Sequence, residues 1–253
     1  MVRDKHKDQA YFNEYAEFVE QAAQKRLADV TTFANIGGRA GRAHALVNYA
    51  FMNCIYRYSR GDAIEDIRES VWLWVQAKEV QKRVHAELPA QFANTRVPYE
   101  KLTLDTVYDA LTTMAFSRAL RFTPAEIRRL LDAIGHAGKD ALMDEAARAL
   151  GDTRRAIADK CSFPKVYEPL LQVWRTAAAQ QRAEQLQTYA DEWIKRIEPI
   201  HWSGSLQGGE GAYFGYWCFE VALTAMLLDV SDAGFRANPF YPADLVDAAR
   251  PVR

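Results

Sequence analysis

Apolar residues recur at intervals of three and four along most of this 253-residue chain, and no segment alternates as a half-buried strand does. After Asp8, for example, the apolar side chains from Tyr11 to Leu27 follow this spacing, which predicts an amphipathic helix over residues 8–32. Other periodic segments predict helices over 40–60, from 62 onward, and over 105–120, 123–135, 141–150, 165–178 and 177–197. The sequence therefore predicts an all-α fold of about ten helices.

Local start and stop signals indicate where several of these helices end. Gly61 is suited to end one helix, because glycine accepts the left-handed conformation that a helix C-terminus often requires. Asp62 and Glu65 have the spacing of a capping box and would begin the next helix. Thr123 and Glu126 repeat that spacing, with a proline at the first helical position between them.

One predicted helix carries acidic residues on the side opposite its apolar stripe. The stripe runs through residues 64–75, and Glu65, Asp66 and Glu69 project from the other side of the helical wheel. Such a face is either simply solvated or a docking surface for a basic protein, because exposed carboxylates steer and match positive surfaces. Leu73 lies on the same side, and an apolar residue there is expected to be covered by this chain or by a partner.

Residues 212–228 contain a single charge, Glu220, and predict a central core helix that is apolar on all sides. A carboxylate in that position must find a hydrogen-bond donor or a cation, or else be neutral. We expect Tyr216, Trp217 and Glu220 to have structural roles, as we expect of the helix cap Asp62.

Composition and charge argue against several function classes. The 32 basic and 33 acidic residues give a net charge of −1, whereas a dedicated nucleic-acid or membrane-surface binder usually has a basic excess. The three cysteines are far apart and no CxxC motif occurs, so neither a disulfide framework nor a zinc site is expected. The N-terminus is charged where a signal peptide is apolar, and no apolar run reaches about 18 residues. These features predict a cytoplasmic protein with no membrane contact.

The familiar motifs of enzymes do not occur in this sequence. There is no metalloprotease HExxH, no P-loop and no GxSxG elbow. The glycine-rich segment 37–42 precedes a helix, but its spacing fits no phosphate-binding motif, and a plain turn is the simpler interpretation. Arg39, Arg42 and Glu220 are the only candidates for a catalytic site assembled from distant helices. We therefore expect no catalytic residues, no cofactor and no metal.

Two blocks of this sequence, at opposite ends of the chain, are similar to one protein family. Residues 3–15 (RDKHKDQAYFNEY) and 58–69 (YSRGDAIEDIRE) resemble the N-terminal domain of the PoNe immunity (PoNi-like) proteins. Residues 215–232 (GYWCFEVALTAMLLDVSD) and 238–246 (NPFYPADLV) resemble the C-terminal domain of that family. The resemblance implies a helical N-terminal domain over residues 1–122 packed on a helical C-terminal domain over residues 123–253.

The resemblance also implies a function. Proteins of this kind protect a bacterium against a polymorphic toxin, often one carried by the type VI secretion system, and the family name indicates a DNA-cleaving toxin of the PD-(D/E)xK class. The implied partner is the nuclease domain of that toxin, bound so that its active site is covered, and no direct contact with nucleic acid is implied. The alternative is an adaptor or chaperone that binds the delivery region of the toxin. Self-association is left open.

The resemblance transfers no toxin-contacting residue to this chain, so the docking surface is a hypothesis from the residues alone. Glu65, Asp66 and Glu69, with Leu73 beside them, are the first hypothesis. Glu210, in the glycine-rich segment 201–211, is the second.

Overall fold

The computed structural model describes residues 1–208 and 212–250. Within these ranges it contains eleven α-helices, short 3₁₀ segments and no β-strand, which confirms the all-α prediction. The chain divides into two compact units, Met1–Lys101 and Leu102–Arg253. The predicted boundary between family domains, at 122/123, stays a prediction. Among the described residues, no helix combines the length and apolar character needed to cross a bilayer.

The first unit is organised around one central helix. Helix α1 (Gln9–Asp29) and helix α3 (Arg68–Ala86) both pack on α2 (Arg39–Arg60). Asp8 caps α1, since its carboxylate accepts a hydrogen bond from the Tyr11 amide at 2.9 Å. A 3₁₀ segment (Ala90–Arg96) and the short α4 (Val97–Glu100) complete this unit.

The predicted start of the third long helix is wrong in its detail. Gly61 does end α2 with a positive φ of 98°. The next helical residues, however, form a separate 3₁₀ turn (Glu65–Ile67). Ile64 occupies the N-cap position of this turn and makes no side-chain capping hydrogen bond. Asp62 caps nothing here, because the arginines at the end of α2 bind its carboxylate instead.

The second unit contains seven helices grouped around α10. They are α5 (Leu104–Ala119), α6 (Pro124–Ile134), α7 (Ala141–Ala149), α8 (Pro164–Arg175), α9 (Ala179–Arg196), α10 (Phe219–Leu227) and α11 (Ala243–Ala249). Helix α10 packs against α5, α7, α9 and α11. The capping box at the start of α6 is present as predicted, with Thr123 and Glu126 each bonding to the other's backbone amide.

The predicted core helix over residues 212–228 is only half helical. Residues 212–218 are almost wholly buried but irregular, and α10 begins at Phe219. Gly215 has φ of 106°, which a continuing right-handed helix does not allow. The Cys218 amide donates to the Phe240 carbonyl at 2.9 Å, so the backbone of this segment finds a partner outside a helix.

Candidate partner-binding surface

The three acidic residues of the first hypothesis lie at the surface together. Glu65 and Asp66 belong to the 3₁₀ turn, and Glu69 lies in the first turn of α3. All three are exposed, while Ile64, just before them, and Ile67, between them, are buried and fix which way the segment faces. No hydrogen bond or ion pair to another described residue holds these three carboxylates, so they are available to a partner. Their role in binding stays a prediction.

The other two residues of the docking hypothesis do not join this surface. Leu73 is buried in the structure, with 8% of its surface exposed, so this chain already covers it and no partner is needed to do so. Glu210 lies outside the described residues.

Asp62 has a structural role, because its carboxylate forms ion pairs with two arginines at the end of α2. Its carboxylate accepts hydrogen bonds from Arg57 Nε at 2.8 Å and from Arg60 Nε at 2.7 Å. Partial burial would raise the pKa of this carboxyl, but the hydrogen bonds from Arg60 and Arg57 outweigh it and the pKa is lowered. The residue therefore ties the end of α2 to the segment that carries Glu65 and Asp66.

Tyr216 joins the turn of residues 201–208 to the buried segment 212–218, and Trp217 joins that segment to α5. The Tyr216 hydroxyl donates to the Ser203 carbonyl at 2.6 Å and accepts from the Leu206 amide at 3.1 Å. The Trp217 carbonyl accepts a hydrogen bond from Tyr108 on α5 at 2.8 Å. These contacts explain why an apolar, aromatic segment lies buried without being helical.

Glu220 is a buried carboxyl with one donor. Its side chain is on α10 and only 1% of the residue is exposed. Oε1 accepts from Trp193 Nε1 at 2.7 Å, whereas Oε2 has no hydrogen-bond partner among the described residues. Burial raises the pKa of Glu220 to about 7, and the Trp193 hydrogen bond offsets this only in part. The group is therefore largely protonated in mildly acidic solution, as a neutral core residue would be.

The glycine-rich segment 37–42 offers no phosphate site, because both of its arginines are used within the chain. Arg39 Nε donates to the Phe33 carbonyl at 2.8 Å. Arg42 forms a two-point ion pair with Asp29 at the end of α1. The structure thus shows a turn that joins α1 to α2.

The sequence patterns did not indicate how the non-helical loop of residues 150–163, between α7 and α8, is anchored. Two fully buried carboxylates at the start of α7 hold it. Asp144 accepts from Arg155 Nε at 2.6 Å and from the Ala158 amide at 3.1 Å. Asp140 accepts from the Ser162 amide at 2.7 Å.

The loop borders a cleft of about 650 Å³ in the second unit. Helix α6 contributes Ile127, Arg128 and Leu131 to its lining, and the loop contributes Leu150 and Arg154. Sequence patterns could have indicated Asp140 as a helix cap, but nothing in the sequence joins α6 to a loop that lies beyond the next helix, α7.

The C-terminal part of this chain is similar to a known protein family. Residues 138–245 match the family model described as PoNe immunity proteins (PoNi), C-terminal. Over the matched residues this chain is similar to the PoNi family, in agreement with the family that its C-terminal motifs indicate. The resemblance of its N-terminal blocks to the same family stays a prediction.

One solved structure shares the whole fold. The crystal structure of protein PA2201 from Pseudomonas aeruginosa matches with a TM-score of 0.72 and 18% identity, covering 98% of this chain and 90% of that one. At this identity the match shows a common fold and nothing about function. No curated protein sequence matches this chain.

Proposed function

We propose that this protein binds and neutralises a cognate antibacterial DNase, an effector of the type VI secretion system, by covering the nuclease active site. The match of residues 138–245 to the PoNi family model carries this proposal. The protein acts in the cytoplasm, where an incoming DNase would reach the chromosome, and it acts by binding rather than by catalysis.

The surface chemistry is compatible with such a partner. A DNA-cleaving enzyme needs a positive cleft for the phosphate backbone, and exposed acidic side chains of an inhibitor complement that charge. Glu65, Asp66 and Glu69 supply three unpaired carboxylates on one short stretch of chain. We propose that they dock on the basic surface of the toxin.

Charge reversal tests this surface. The triple variant Glu65→Lys, Asp66→Lys, Glu69→Lys is expected to weaken toxin binding about tenfold or more, mainly through slower association, with a smaller effect at high salt. Surface-plasmon or stopped-flow kinetics at two salt concentrations would measure this. The fold is expected to survive, because all three side chains are exposed and unpaired.

A control variant keeps the same change in net charge. Glu87→Lys, Asp191→Lys, Glu198→Lys replaces three exposed acids located elsewhere and is expected to leave the association rate close to wild type. If the first variant folds and binds with an unchanged dissociation constant, the acidic face is not part of the interface.

Binding to truncated toxins distinguishes an inhibitor of the nuclease domain from an adaptor that binds the delivery region. The immunity protein is expected to co-purify with the isolated nuclease domain and not with the remainder of the toxin. Binding to the delivery region alone would instead support an adaptor or chaperone.

A further inference from the structure

The cleft between α6 and the loop of residues 150–163 has the features of a built binding site. Its floor is apolar: Ile127 and Leu131 come from α6, and Leu150 comes from the start of the loop. Arg128 and Arg154 lie on its walls and are exposed. A concave apolar floor with a few charged groups at its edge is the usual form of a specific binding site.

The loop that forms one wall is held at many points, although it has no regular structure. Asp144 and Arg155 form an ion pair with side chains 0% and 3% exposed. Arg155 also donates to the Gly135 carbonyl at 2.8 Å, and Ser162 Oγ donates to the Lys139 carbonyl at 2.7 Å. Burying charges in this way costs free energy, and what it yields is one fixed conformation of an exposed loop. A preorganised loop loses less entropy when a partner binds.

Both arginines of the cleft lack a partner among the described residues. Among the described arginines of the second unit, only Arg118, Arg128 and Arg154 make no hydrogen bond or ion pair with a described residue, and two of these three line this cleft. Asp132 and Asp152 also line it. Asp132 has a partner of its own within the chain, and Asp152 is half-buried, whereas both arginines are exposed. The two exposed, unpaired guanidinium groups therefore set the recognition chemistry of the cleft.

We propose that this cleft binds an acidic segment of the cognate toxin, with a carboxylate held by Arg128 and Arg154 and an apolar side chain on the floor. A planar guanidinium binds a carboxylate through two parallel hydrogen bonds, and arginine is enriched among the residues that dominate binding energy at interfaces. This inference rests on the proposed function and adds a second contact of opposite charge to the one predicted at Glu65, Asp66 and Glu69.

Calorimetric titration of the full-length immunity protein with the toxin nuclease domain tests the proposal. The double variant Arg128→Ala, Arg154→Ala is expected to weaken binding about 100-fold, as the loss of two interface arginines would. Arg128→Lys, Arg154→Lys keeps the charge but not the paired hydrogen bonds and is expected to lose about tenfold.

Arg118→Ala is the matched control, because Arg118 is also exposed and unpaired but does not line the cleft. It is expected to bind as wild type does. If the double alanine variant is folded by circular dichroism and binds as tightly as wild type, the cleft is not a toxin site, and the proposed function stands. A wild-type protein that binds no part of the toxin would contradict the proposed function and this inference with it.

Discussion

Asp144→Ala is expected to lower the free energy of unfolding by about 3–5 kcal/mol, because it leaves Arg155 as a buried charge without its counter-ion. The substitution also removes the acceptor for the Gly138 and Ala158 amides, and unpaired buried donors are costly. Urea unfolding followed by circular dichroism would measure the loss as a lower midpoint with an unchanged slope.

Asp159→Ala provides the comparison within the same loop. Asp159 is exposed and no partner holds its carboxylate, so its loss is expected to change stability by no more than about 0.5 kcal/mol. If the two variants unfold at the same urea concentration, the buried ion pair does not hold the loop. The ion pair would then not preorganise the cleft beside the loop.

Glu220→Gln is expected to stabilise the protein in neutral and alkaline solution and to have little effect in acid. The structure raises the pKa of Glu220 from 4.5 to about 7, so the folded state holds this proton more tightly than the unfolded state does. The contribution of Glu220 to wild-type stability therefore falls as the pH rises from about 4.5 to about 7 and then levels off. A shift of this size corresponds to about 3 kcal/mol. Glutamine carries no charge at any pH and its amide oxygen can still accept from Trp193.

The measurement is the unfolding free energy of both proteins in urea between pH 4.5 and 8. The difference between them is expected to grow across this window. The groups nearest to Glu220 do not titrate there, because burial raises the pKa of each, with the charge of Glu220 adding to the shift: Tyr108, Tyr167, Tyr189 and Cys218. Glu192→Gln, at an exposed carboxylate of α9, is expected to show no such growth. A constant difference between wild type and Glu220→Gln would mean that the carboxyl is charged in the folded state throughout.

Much of the helical framework could be predicted because its ends are set by local chemistry. The Thr123 and Glu126 capping box and the Gly61 stop each depend on residues within one turn of one another. The prediction at Asp62 was wrong because two arginines of the preceding helix compete for the same carboxylate.

The segment 212–218 shows why an apolar run is ambiguous. Buried helix and buried irregular chain have the same composition, and the choice between them depends on where the backbone finds partners. Here those partners are distant: Phe240 accepts from Cys218, and Tyr108, on α5, donates to Trp217. No pattern within the segment contains that information.

Of the two candidate surfaces, one could be predicted from the sequence and the other could not. The acidic face could be predicted because Glu65, Asp66 and Glu69 lie in one short segment, opposite a stripe of apolar residues that the sequence spacing identifies. The cleft was not, because Arg128 and Arg154 look like ordinary surface arginines until folding brings α6 and the loop together. The buried pair of Asp144 and Arg155, which fixes that loop, has no spacing that would mark it in advance.

We propose above that this chain neutralises a nuclease by binding it. The most direct test adds the purified protein in steps to the nuclease domain of the cognate toxin, while DNA cleavage and heat of binding are both followed. We expect a tight one-to-one complex and a loss of cleavage that is complete at equimolar protein. Cleavage that continues at full rate in the presence of excess immunity protein would contradict it.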